Sequence, residues 1–300
     1  MQKKNTLFVG NGFSMSVFKD VPSWNGLFQG VHLSIKNNTI LYEMHRLQEP
    51  ETEEAVIKER LIKKLKEPYS EDNLNNEIRD LDSFGTYLND YNFDNIITTN
   101  YDTGIEFLLS RCGYKEQKIS GSSAERIYSI RTYKMFYAPK SGHMIKLWKI
   151  HGDIGRIASI TLGFDQYCGS LAKLTQYVKG KYESSNKSVH CKIHMKDKCN
   201  GNNFDDISWA ELFFKTNVYI VGFGMDFSEI DIWWLINKRV RFKTEGVNIN
   251  NTITYLYNPV YDKEDEKGHI FAALNTFDVI RKPVQTSENY FKELFEAVRE

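Results

Sequence analysis

Five short motifs combine glycine or polar side chains in ways that could serve chemistry. Gly10-Asn11-Gly12-Phe13-Ser14 can bring backbone N–H groups close to a pyrophosphate at a helix N-terminus, and can equally form a plain β-turn. It is not the dehydrogenase fingerprint: the third glycine would fall at Met15, and no acidic residue stands about 20 positions further on in the expected place. Hydride transfer is therefore disfavoured. Thr98-Thr99-Asn100-Tyr101-Asp102 could contact a ligand or cap a helix. His151 offers an imidazole suited to acid–base work near neutrality, beside Gly152, which admits a close backbone; a lone histidine is more often structural. Gly222-Phe223-Gly224 reads as a second phosphate turn or a simple strand-to-helix turn, and Asn258 stands just before Pro259.

The elements that must position these residues follow from apolar patterning. Buried strands are expected at Thr6–Val9, Asn95–Thr99, 127–137, 144–150, Asn217–Val221, Thr252–Tyr257 and Phe277–Ile280. Helices are expected at Thr103–Ser110, 166–179, Ile230–Lys238 and Ser287–Arg299. Short apolar strands alternating with helices predict an α/β fold: a doubly wound, mainly parallel, Rossmann-like sheet covered on both faces. The chain reads as one domain over 1–300, with a helical insertion at about 26–92. Within that insertion Ala55–Leu65 has helical spacing. Residues 180–206 are polar and read as an excursion outside the core. Every motif falls at the end of an expected strand, where ligands bind in such sheets.

Composition narrows the function. Hydrophobic residues are 41% and charged residues 26%, as in ordinary soluble domains. Lys plus Arg equals Asp plus Glu at 39 each, which argues against a nucleic-acid coat protein. The first apolar run is too short for a signal-peptide core and no run reaches membrane-spanning length. A cytoplasmic location is expected, with the four cysteines as thiols or metal ligands rather than disulfides.

In their order the motifs resemble the sirtuin fold: Gly-x-Gly-x-Ser, then Pro22-Ser23-Trp24, Thr-x-Asn-x-Asp, His-Gly, a Gly-rich turn, and a strand ending in Asn. Thr-Thr-Asn-Tyr-Asp is similar to the form found in sirtuin-like domains of bacterial anti-phage systems, and the Gly-Asn-Gly-Phe start is similar to that of the abortive-infection H family. The resemblance runs from Leu7 to about Ile280. It implies an NAD pocket and cleavage of the bond between nicotinamide and ribose. The implied roles are specific. Asn100 orients water and His151 serves as base. Gly10, Gly12, Phe13, Ser14, Gly222 and Gly224 hold the pyrophosphate. Trp24 walls the nicotinamide, and Thr99 stands in the pocket beside Asn100. Asp102 holds the carboxamide or the developing positive charge, and Asn258 reaches the adenosine ribose.

The departures from deacylase sirtuins also carry meaning. Thr99 stands where those enzymes have Gln, and Ser23-Trp24-Asn25 where they have Asp-Phe-Arg. Their two Cys-x-x-Cys zinc pairs are missing. Their place holds Cys168, His190, Cys191, His194 and Cys199, a set with two adjacent ligands in a polar segment. The expectation is an NAD⁺ glycohydrolase of anti-phage defence that uses NAD as substrate and needs no metal. It would be controlled by self-assembly or by a separate regulatory protein encoded nearby, with no direct nucleic-acid or membrane binding. Protein deacylation, ADP-ribosyl transfer and non-catalytic NAD or ADP-ribose sensing are the alternatives.

Overall fold

A strand whose successive side chains are all apolar has no face to offer water, so it must be covered on both sides. Leu7, Phe8 and Val9 are such a run, and Ile96-Ile97 another; all are fully buried. In the structure, a computed structural model, residues 4–18, 21–23, 26, 50–66, 81–117, 130–184, 187–285 and 290–299 are described. Its strands are β1 (Asn5–Val9), β2 (Phe93–Thr98), β3 (Lys115–Gln117), β4 (Lys134–Tyr137), β5 (Met144–Lys149), β6 (Tyr182–Glu183), β7 (His190–Cys191), β8 (Asn217–Val221), β9 (Ile253–Tyr257) and β10 (Val279–Pro283). Its main helices are α1 (Asn11–Val17), α2 (Pro50–Lys66), α3 (Leu81–Asp90), α4 (Gly104–Arg111), α5 (Phe164–Val178), α6 (Met195–Gly201), α7 (Ile230–Thr244), α8 (Glu264–Thr276) and α9 (Tyr290–Arg299).

Eight strands form one sheet in the order β10-β9-β8-β1-β2-β5-β4-β3. From β10 to β5 every pairing is parallel, and β4 and β3 close the edge antiparallel. Alternation splits each strand between two cores. Phe8, Ile97, Trp148 and Ile220 face one side, together with Leu174 of α5 and Ile236 of α7. Leu7, Val9, Ile96, Leu147 and Val221 face the other, with Phe13 of α1, Leu108 of α4 and Phe295 of α9. This is the doubly wound α/β architecture that the patterning predicts. The chain winds outward from β1 to β2 and β5, then returns to β8, β9 and β10 on the other side. Strand order therefore reverses at β1, and the crevice at its carboxyl end is the topological switch point.

Several segments differ from their sequence reading; of the strand expected at 127–137, residues 134–137 form β4, residues 130–133 do not, and the rest lies outside the described residues. Residues 180–206 read as an excursion outside the core, yet they fold into the β6–β7 hairpin and α6. Tyr182, Cys191, Met195 and Cys199 are buried in the main core. Their polar composition conceals a buried ion pair: Lys198 Nζ lies 2.8 Å from Glu211 Oε1, which also accepts from Tyr177 O–H at 2.8 Å. Much of the expected insertion at 26–92 lies outside the described residues. Its last helix, α3, belongs to the core, because Phe84 packs at a tilt against Phe291 of α9 with 4.7 Å between ring centroids. Helix α8 was not expected from sequence. Its first turn is Glu264-Asp265-Glu266, and only Ile270, Phe271 and Leu274 are buried. No helix among the described residues is long and apolar enough to cross a membrane.

Candidate functional site

The carboxyl ends of β1, β2, β5, β8, β9 and β10 open into one cavity of about 820 Å³. That volume suits a ligand of nucleotide size or larger. Gly12, Thr99, His151, Gly222, Gly224 and Asn258 line it, together with Tyr101, Tyr167 and Glu229. The His151 end and the Asn258 end belong to β5 and β9, four strand spacings apart, or roughly 19 Å.

Register sets the central relationship. In the parallel pair of β2 and β5, Thr98 is partnered with Lys149. Asn100 and His151 each lie two residues beyond, so the two loops leave the sheet side by side. Lys149 binds those loops together. Its ammonium donates to the Tyr101 carbonyl at 3.1 Å and to the Asp102 carbonyl, and pairs with Glu106 at 3.0 Å and Asp153 at 3.4 Å.

Asn100 is buried. Its Nδ2 donates to Ser14 Oγ at 3.1 Å, and its backbone N–H donates to Thr98 Oγ1 at 3.0 Å. Its Oδ1 is buried with no hydrogen-bond partner. Asn100 is not the cap of α4. The capping bond comes from Asp102, whose Oδ1 accepts the Gly104 N–H at 2.7 Å. Asn100 and Asp102 are both buried and both absent from the cavity wall, which at this loop is formed by Thr99 and Tyr101.

Some of the donors expected on the glycine loops are engaged within the fold. Gly10 N–H donates to Val221 O at 3.1 Å, Gly12 N–H to Gly222 O at 2.8 Å, and Phe13 N–H to Gly10 O at 3.1 Å. Three of the donors that sequence assigns to phosphate are thus engaged within the fold. The glycines are there for contact between the two loops. A Cβ on Gly10 would come within 2.5 Å of Gly222 O, and one on Gly222, whose φ is +59°, within 1.9 Å of Phe13 N. Phe13 and Ser14 face inward behind the wall, Phe13 in the core and Ser14 on Asn100. Gly12, Gly222 and Gly224 remain at the cavity surface.

His151 is buried and carries a carboxylate on each side. Its Nε2 lies 3.0 Å from Asp231 Oδ2, and its Nδ1 lies 3.6 Å from Glu229 Oε2. Tyr167 O–H sits 3.5 Å from Nδ1 and donates to Glu229 Oε2 at 3.2 Å. Burial alone would lower the His151 pKa, but Asp231 and Glu229 outweigh it and the value is raised. Burial lifts the Glu229 carboxyl to about 7, with Asp231 adding to the effect and His151 opposing it. Gly152 lets the following backbone fold tightly under the histidine, since a Cβ there would meet Ser159 O at 2.4 Å.

Sequence reasoning missed Glu229, Asp231 and Tyr167. The available signal was Glu-x-Asp opening a helix directly after a strand-end glycine turn. Of the other expected residues, Asn258 lies at the far end of the cavity, where its Oδ1 accepts the Val260 N–H at 2.9 Å. Trp24 lies outside the described residues. Cys191, His194 and Cys199 do not converge: Cys191 Sγ faces the Tyr177 and Ile193 carbonyls, and His194 Nδ1 accepts the Lys196 N–H at 3.1 Å. Among the described residues, His151, Glu229 and Asp231 are the one group of His, Cys, Asp or Glu whose three side-chain atoms lie within 4.8 Å of one another.

Comparison with protein families matches residues 94–275, well over half of the chain, to the SIR2-like domain. The match takes in Asn100, His151, Gly222, Glu229, Asp231 and Asn258. No curated protein matches the chain.

Proposed function

This chain belongs to the SIR2-like domain family, and on that premise we propose that it is an NAD⁺ glycohydrolase, which binds NAD in the strand-end cavity and hydrolyses the bond between nicotinamide and ribose. The observation that carries the reading is the register of β2 and β5, which starts the Asn100 loop and the His151 loop from adjacent positions, two residues beyond Thr98 and Lys149. The partnerless Asn100 Oδ1 supports it, because a buried acceptor without a donor is costly and a ribose hydroxyl or a water would satisfy it.

The chemistry asks little else of the protein. The glycosidic electron pair leaves with the pyridinium nitrogen, giving neutral nicotinamide and an oxocarbenium-like ribose. Water attacks C1′ and loses a proton, giving ADP-ribose. Asn100, just behind the wall formed by Thr99 and Tyr101, would reach in to hold the water or the ribose hydroxyls, and His151, on the wall itself, would receive that proton. The Gly222–Gly224 turn supports the middle of the dinucleotide, and the β9 end, at Asn258, its adenosine. The motif resemblance to anti-phage proteins makes depletion of NAD in an infected cell the role we assign. Control then falls to self-assembly or to a separate regulatory protein, since an ungated enzyme would exhaust its own host.

The test is product analysis. Purified protein given NAD and no acyl peptide should release nicotinamide and ADP-ribose in equal amounts. Turnover that appears only with an acylated peptide would favour deacylation, and binding without turnover would favour a sensor.

A further inference from the structure

The histidine of this site does not stand alone. Asp231 is completely buried at the start of α7. Its Oδ1 accepts the Ile232 N–H at 2.9 Å and its Oδ2 faces His151 Nε2 at 3.0 Å. A carboxylate can only accept, so Nε2 must carry a hydrogen. That leaves Nδ1 as the one ring nitrogen able to take a proton. Nδ1 faces Tyr167 O–H at 3.5 Å and Glu229 Oε2 at 3.6 Å, and both His151 and Glu229 line the cavity.

We propose that Glu229 is the terminal proton acceptor of the site, taking the proton of the attacking water through His151 Nδ1, and that Asp231 is a positioning residue that fixes the ring for this transfer. The proposal rests on the glycohydrolase reading. The proton balance is complete. The water O–H breaks as its oxygen bonds to C1′, its proton goes first to His151 Nδ1 and then, once the new hydroxyl has left that nitrogen, to the Glu229 carboxylate, and the C1′–N electron pair leaves with nicotinamide. Loss of the proton from Glu229 to solvent resets the enzyme, for a net release of one proton.

Charge around the pair agrees with this role. Tyr101, Tyr167, Asp226 and Asp231 are the other titratable groups that act on it. Burial lifts the Glu229 carboxyl to about 7, close to the working pH that suits a proton acceptor. The Tyr167 O–H opposes that lift by donating to the carboxylate. Tyr101 and Tyr167 are themselves held protonated by burial and by the two carboxylates.

The test combines turnover with direct titration of His151 by NMR of its imidazole. Glu229→Gln should keep the fold, lower the His151 pKa by removing a neighbouring charge, and cut kcat by about 10²–10⁴-fold with KM for NAD roughly unchanged. Its residual activity should keep an acid limb shifted to lower pH. Tyr167→Phe should move the acid limb the other way, to higher pH, because Glu229 loses a hydrogen bond to its charged form. Asp231→Asn should lower the His151 pKa and reduce kcat, and Glu229→Asp should recover part of the Glu229→Gln loss. A Glu229→Gln protein that melts like wild type, with kcat and pH profile unchanged, overturns the proposal. Wild-type protein that leaves NAD intact at every pH defeats the glycohydrolase reading instead, and the His151 titrations, which need no turnover, show that the two carboxylates still govern the ring.

Discussion

Asn100 Nδ2 donates to Ser14 Oγ across 3.1 Å, joining the loop after β2 to α1, 86 residues earlier. This bond ties one end of the carboxamide to Ser14. It leaves Oδ1 as the buried atom with no partner. Ser14→Ala should therefore do two things. It should cost about 1–3 kcal/mol by stranding a buried donor, and it should free the carboxamide to rotate. Thermal melting together with NAD kinetics checks this: kcat should fall while the protein remains folded. Unchanged kcat in a measurably destabilised protein would make Ser14 a purely structural partner.

Gly222 tests the contact between the two glycine loops. Its φ is +59°, and a Cβ added there would stand 1.9 Å from Phe13 N, which leaves no room for a side chain. Gly222→Ala should cost at least about 2 kcal/mol, from the left-handed backbone and the displaced loop together. Gly224→Ala meets no atom within 4 Å of its Cβ and should be tolerated in stability. Chemical denaturation of the two variants gives the comparison.

The Glu229–His151 pair sets a sign for stability against pH. Folding raises the Glu229 pKa from 4.5 to about 7, so the native state binds more protons than the unfolded chain between those values. Its contribution is fully present below 4.5 and is lost as pH rises through about 7. His151, also raised, acts in the same direction. Asp153, which burial would raise but Lys149 and Lys134 hold down at about 2, acts oppositely in more acid solution. Melting temperature should therefore decline from about pH 5 to pH 8. Glu229→Gln should flatten that slope, and an unchanged slope would remove Glu229 as its cause.

Residues at strand ends were legible in the sequence because strand ends are where such sheets expose polar side chains. Asn100, His151, Gly222 and Asn258 stand out there against apolar runs. The glycines at 10 and 12 were legible as tight points, but their purpose was not, since the Gly222 loop they touch lies more than 200 residues away. Glu229 and Asp231 carried only a weak local mark, Glu-x-Asp at the opening of a helix. Acidic residues at a helix N-terminus are what the helix dipole favours anyway, and nothing nearby in sequence announces that Asp231 meets a histidine 80 residues distant. Residues 180–206 misled by composition, because Lys198 is buried through its pairing with Glu211, an interaction formed only in the folded chain.

Chelation addresses the chemistry of the His151 cluster. In the proposed mechanism the cluster is a proton-sharing network, with Tyr167 O–H already on Glu229. Turnover should survive EDTA and should not rise on adding zinc. Loss of activity with EDTA and recovery with zinc would replace the proton network with a metal-dependent site.

The most direct measurement follows NAD consumption, with no acyl peptide, by wild type, Asn100→Ala and His151→Ala, each with its melting temperature. Wild type should produce nicotinamide and ADP-ribose. His151→Ala should remain folded and lose about 10²–10⁴-fold in kcat, and Asn100→Ala should also remain folded and lose most of its turnover. Folded Asn100→Ala and His151→Ala proteins that consume NAD at the wild-type rate would contradict the proposed mechanism.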